Sequence, residues 1–137
     1  MADVIRKVDY FSIQAADRPG EGLRYLDGLR SEGVNLLAFT GFPSGRRAQI
    51  DFVPEDTAAL KAAAKRMKLA LGARKTAFLL QGEDRAGALA DTLEKLAAAK
   101  INVTAMDAVT GGSGRFGAIF WVKPRDVNRA AKLLGAR

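Results

Sequence analysis

The sequence predicts an α+β fold made of two copies of one unit, each an antiparallel sheet with its helices on one face. Three observations predict it. Polar motifs recur at one offset: Asp17-Arg18-Pro19-Gly20 and Asn35 return 67 residues later as Asp84-Arg85-Ala86-Gly87 and Asn102. A repeat of that period marks a duplicated structural unit. Around each motif, period-2 strand patterns and turn-spaced leucines follow one order, β-α-β-β-α. A chain of 137 residues, 48% of them apolar, has room for two half-units sharing one continuous core.

The first strand is predicted over residues 7–15, where Phe11, Ile13 and Ala15 alternate toward one side. Its counterpart is 74–82, with Phe78 and Leu80 in the matching places. A helix follows each. Asp17 is placed to cap the first, and Pro19 suits an opening helical position because its missing N–H has no partner there anyway. Leu23, Leu26 and Leu29 define its buried stripe, as Leu89, Leu93 and Leu96 do in the second copy. Gly33 ends the first helix.

Two strands come next, 34–42 and 48–53, joined by the turn Pro43-Ser44-Gly45. The second copy has 101–109 and 116–122 around Gly111-Gly112-Ser113-Gly114. Pro54 maps to Pro124, so the second connection is three residues longer. Pro54-Glu55-Asp56 and Pro124-Arg125-Asp126 each open a second helix. Leu60, Ala64 and Met67 line one; Val127, Ala130, Ala131 and Leu134 line the other.

A final strand would complete βαββαβ, the ferredoxin-like arrangement. Residues 68–71 leave room for a stub, and after the second copy only Gly135-Ala136-Arg137 remain, so its last strand is missing. The repeats run 4–71 and 73–137. Unpaired sheet edges are usually covered, most simply in a homodimer.

Composition narrows the chemistry. The chain has no cysteine and no histidine, which removes disulfides, thiol nucleophiles, zinc–cysteine sites and the commonest general base. Asp51, Asp107 and Tyr10 stand apart, so catalysis finds no pair at a useful spacing. The reading is a cytoplasmic protein that is not an enzyme and needs no cofactor or metal. No apolar run reaches a membrane span, and the first residues turn charged too soon for a signal peptide. A net charge of +7 is read as a solvated basic surface rather than a nucleic-acid footprint.

The recurrent loop leaves a strand and enters a helix, where unpaired N–H groups and the helix dipole favour an anion. Gly20 and Gly87 permit backbone that a Cβ would block. Asn35 and Asn102 open the following strand, at the other end of the sheet. Loop and asparagine therefore meet only across an interface between copies.

The strand, the Asp-Arg-Pro-Gly turn, the leucine-spaced helix and Gly33-Val34-Asn35-Leu36 closely resemble the ACT domain, a regulatory amino-acid-binding module. Nearly the whole chain resembles a stand-alone tandem ACT protein. The second copy departs at Ala86, at Lys100 and in its missing strand. The resemblance implies a free amino acid, or a similar small anionic or zwitterionic ligand, held between paired units. Asp17, Arg18, Pro19, Gly20 and Asn35 form one half-set of ligand contacts; Asp84, Arg85, Gly87 and Asn102 form the other. Leu36, Leu37 and Met106 would read the ligand's side chain. The function implied is a sensor that acts by ligand-dependent assembly.

An RNA-binding protein with RRM-like units is the alternative. The run Arg115-Phe116-Gly117-Ala118-Ile119-Phe120-Trp121 partly resembles the aromatic strand that stacks bases in that fold. Ala118 stands where a stacking aromatic belongs, and Phe116 and Phe120 suit a covered core better.

Overall fold

Phe11, Ile13 and Ala15 turn one face of the first strand, β1 (Val4–Ala16), into a core. The computed structural model describes residues 3–137. It comprises α1 (Glu21–Ser31), β2 (Leu36–Ser44), β3 (Arg47–Pro54), α2 (Thr57–Met67), β4 (Lys75–Glu83), α3 (Ala90–Ala98), β5 (Val103–Gly112), β6 (Arg115–Val122) and α4 (Val127–Leu134). A 3-10 turn, Pro124–Asp126, leads into α4. Packing separates the chain into two units, one spanning Asp9–Lys75, the other joining Thr76–Arg137 to the stretch that ends at Val8.

In the first unit the strands lie in the order β2-β3-β1, all antiparallel. Tyr25 and Leu29 of α1, with Leu60 and Ala63 of α2, cover Phe11, Ile13, Ile50 and Phe52 from one side. After α2, Leu69 and Leu71 pack on that core, and Gly72 donates to the carbonyl of Ser12 (2.9 Å). Residues 68–71, where a stub of a last strand was expected, form no strand.

The second unit repeats the plan. β4-β6-β5 are antiparallel, and Leu96 of α3 with Ala130 and Ala131 of α4 covers Phe78, Phe120 and Val122. No strand follows α4. The place beside β4 is taken by the first residues of β1, with Ile5 packed among the core side chains.

The strand registers of the two units correspond position by position. Phe11 opposes Phe52 as Phe78 opposes Phe120, and the same bulge recurs between Leu36 and Ala38 and between Val103 and Ala105. The three extra residues of the second copy do not all enter its hairpin. One is absorbed by a second bulge between Thr110 and Gly112, and the others separate β6 from the 3-10 turn.

Two helix expectations are corrected. α1 starts at Glu21, not Pro19. Its N-cap is Gly20 at φ 91°, and no side chain caps it, so Asp17 does not serve there. The buried face of α1 is Glu21, Tyr25 and Leu29, whereas Leu23 is 68% exposed and Leu26 is also exposed. In α3, Leu93 is exposed beside buried Thr92 and Leu96. The reason in α1 is helical phase: at 3.6 residues per turn, leucines three apart drift by about 60° per step, so of its three only Leu29 reaches the core.

Helix ends are conserved in geometry and not in residue type. After α1, Gly33 at φ 72° donates to Arg30 O (3.0 Å) and Val34 to Leu29 O (2.9 Å). After α3, Lys100 at φ 58° donates to Ala97 O (3.0 Å) and Ile101 to Leu96 O (2.9 Å). Both are Schellman closures, but a lysine in left-handed backbone carries a steric penalty that glycine escapes. Lys100→Gly is therefore expected to stabilise the protein by about 1 kcal/mol and Gly33→Ala to cost about as much. Urea unfolding of the two variants measures this.

Candidate functional site

The loop leaving β1 and the first turn of α1 form one wall of a cleft of about 280 Å³ in the first unit. Asp17, Arg18, Glu21 and Gly22 come from that wall. Phe39, Gly41, Phe42 and Pro43 of β2 face them, and Ala48 and Ile50 of β3 close the base. The cleft exists because two facing positions have no side chain. A Cβ on Gly22 would reach Phe39 Cζ at 3.9 Å, ordinary contact, so anything longer would enter the space. Gly41 has only backbone near it, Gln49 O at 4.0 Å.

Glu21 organises the polar end. It is buried at 6% exposure, yet ionised partners surround it. Arg18 Nε donates to its Oε1 (3.0 Å), Arg24 Nη2 to its Oε2 (3.0 Å), and Tyr25 Oη lies 3.4 Å from Oε2. The Arg24 hydrogen bond holds the Glu21 carboxyl below its ordinary range. Burial opposes that shift, and Arg18 adds to it. Asp17, which accepts no hydrogen bond among the described residues, lines the cleft with Arg18 and Glu21, and Arg24 holds Glu21 without lining the cleft. The uncapped N–H groups of the first turn add partial positive charge.

The second loop is built differently. Arg85 donates to both carboxylate oxygens of Asp3 (3.2 and 3.0 Å) and to the carbonyl of Glu83 (2.9 Å). Ala88 stands where the first repeat has Glu21, so the arginine's acid comes from the chain's first residues. Gly87 keeps the left-handed backbone of Gly20, at φ 70°. A broader cleft of about 650 Å³ runs along Asp3, Arg85, Asp91 and Lys95 near the end of α4. Its charges are of both signs, and its arginine is already committed to Asp3.

Of the residues singled out by sequence, Asp17 and Arg18 line the 280 Å³ cleft, while Pro19 and Gly20 shape the loop beside it. Asn35 lies at the far end of the unit, donating to Glu55 Oε2 (2.8 Å), and Asn102 holds the matching exposed position before β5. Neither meets the loop of its own unit. Leu36 and Met106 pack against the cores and line no part of this cleft. Sequence reasoning missed Glu21, Gly22, Phe39 and Gly41. The available signal was asymmetry between the copies: Gly22 against Leu89 and Glu21 against Ala88.

Asp51 and Tyr10 are not as separate as expected. Asp51 is buried and accepts from Ser12 (2.7 Å) and Gln49 (3.0 Å), on the strand face that also carries Tyr10. Burial raises the Tyr10 pKa, and the Asp51 charge raises it further, the wrong direction for a base. No group of three or more acids lies close enough to hold a metal among the described residues. No helix among the described residues is long and apolar enough to cross a membrane.

No family model and no curated protein matches this sequence. Solved structures match along nearly all of it. A protein from Bacteroides thetaiotaomicron aligns with a TM-score of 0.77 at 15% identity, over 97% of this chain and 88% of that one. The ligand-free regulatory subunit of aspartate kinase from Thermus thermophilus gives 0.63 at 15%, over 98% and 95%. The aspartate kinase of Clostridium acetobutylicum gives 0.59 at 17%, over 97% of this chain and 33% of that one. The fold is α+β and is shared with the regulatory subunits of aspartate kinase. At these identities the likeness is one of fold.

Glu21 makes the site sensitive to acid. Its lowered pKa contributes stability above the ordinary glutamate range that is lost as pH falls through the folded value. Thermal melting from pH 7 to pH 3 is expected to show a stability loss below about pH 4. Glu21→Gln should melt lower at pH 7 and lose part of that pH dependence.

Proposed function

We propose that this chain is a small-molecule-binding regulatory module whose ligand is a free amino acid and which acts by binding, not catalysis. The observation that carries the reading is the cleft of the first repeat. It joins an uncapped helix N-terminus and an arginine, suited to a carboxylate, to an unpaired Asp17, suited to an ammonium. Its size falls near the lower bound of about 300 Å³ for small-molecule sites. The fold supports the same reading, since the regulatory subunit of an aspartate kinase shares it.

Asp84, Arg85 and Gly87 form the corresponding loop of the second repeat. Asn35 and Asn102 sit away from the loops of their own units, and a second copy of the chain is the proposed source of a facing asparagine. Ligand binding would then favour a homodimer, shifting assembly by its differential affinity for the paired state.

The RNA alternative finds no support in the sheet. Phe116, Phe120 and Trp121, the aromatics that suggested base stacking, are all buried.

Thermal melting in the presence of each of the twenty amino acids tests the proposal. A ligand bound only by the native state raises the melting temperature by mass action. At least one amino acid is expected to do so in the wild type and not in Arg18→Ala. No shift with any of them refutes the reading, and a salt-sensitive shift with single-stranded RNA would replace it.

A further inference from the structure

The register of the two sheets makes the clefts comparable position by position. Glu21, Gly22, Gly41, Ala48 and Ile50 of the first repeat correspond to Ala88, Leu89, Ala108, Phe116 and Ala118 of the second. In the second repeat these positions form a packed cluster. Ala88, Phe116 and Ala118 are buried with Leu80, and Leu89 packs against them. The space that lies open in the first repeat is filled there by one phenylalanine and one leucine. Arg85 is bonded to Asp3, Glu83 O and Ala88 O, as Arg18 is to Glu21, so the two loops differ in the filling of this space and not in a free arginine.

From this we infer that the first repeat alone takes the ligand, one per chain, and that the ligand is an amino acid with an apolar side chain. The inference rests on the amino-acid-binding reading above and deepens it. What Phe116 and Leu89 supply in the second repeat is apolar bulk, and the ligand's side chain supplies the same in the first. It lies against Gly22, Phe39, Gly41 and Ile50, where no charged group awaits it. The charges of the lining, on Asp17, Arg18 and Glu21, are confined to the loop end. A zwitterionic head group is matched, and a third charge on the side chain would enter an apolar wall without a partner.

Isothermal titration calorimetry on the full chain tests this with L-phenylalanine, L-leucine and L-isoleucine against L-lysine, L-aspartate and L-threonine. The expected result is a stoichiometry of one, with an apolar amino acid at least about tenfold tighter than any charged one. Gly22→Leu and Ala48→Phe, each copying the second repeat, should weaken binding by more than about tenfold while the melting temperature without ligand holds. A Cβ at Gly22 meets only Phe39 Cζ, at 3.9 Å, and the melting temperature of each variant without ligand separates obstruction of the site from loss of the fold. Gly41→Val offers a second obstruction from the opposite wall. Two ligands per chain, tighter binding of lysine or aspartate, or binding that survives both Gly22→Leu and Ala48→Phe overturns the inference and leaves the amino-acid-binding function standing. No binding by any amino acid overturns both.

Discussion

The cross-strand phenylalanine pair is the constraint on which each unit depends. Phe11 faces Phe52 in one, Phe78 faces Phe120 in the other, and all four are essentially without exposure. In the second unit the rings stack at 5.1 Å. In the first, Phe52 also takes the edge of Tyr25 and the ring of Phe39. Slipping the register by one residue would turn these rings out of the core, so the pairing is strongly specified. That register sets Ala15 opposite Ala48 and Ala16 opposite Arg47, and so decides what lies beside the loop.

Within this shared frame the two loops have diverged by exchanging volume and charge. The first keeps glycines on facing elements and buries an acid between two arginines. The second fills the same space with apolar side chains and borrows its acid from Asp3. A buried carboxylate without partners would be costly, so Glu21 requires Arg18 and Arg24 near it. With Ala88 in that position the requirement disappears, and a packed cluster becomes possible. The two units share one strand register, and packing makes their loops unequal.

Much of the fold was legible in the sequence. The 67-residue repeat, the strand alternation and the glycine after α1 each follow from local physics, where period, turn chemistry and backbone freedom are properties of a few adjacent residues. The helix faces were less legible. Three leucines at a spacing of three looked like a stripe, but Tyr25 and Leu29 set the phase by packing on Phe52. Asp17 looked like a cap because caps are common, yet the left-handed Gly20 turns the chain before the aspartate can reach the helix. The site was half legible: its loop recurs in the sequence, whereas the opposite wall comes from β2 and β3 and is named by no motif.

By itself the sequence determined the α+β class, the order of elements and the loop motif that recurs 67 residues on, because these depend on patterns along the chain. Only the tertiary structure decided that the space between loop and sheet is open in the first unit and that the corresponding space of the second is filled. That distinction depends on the volumes of Gly22, Gly41 and Ala48, which are far apart in the chain and become neighbours only when the strands pair.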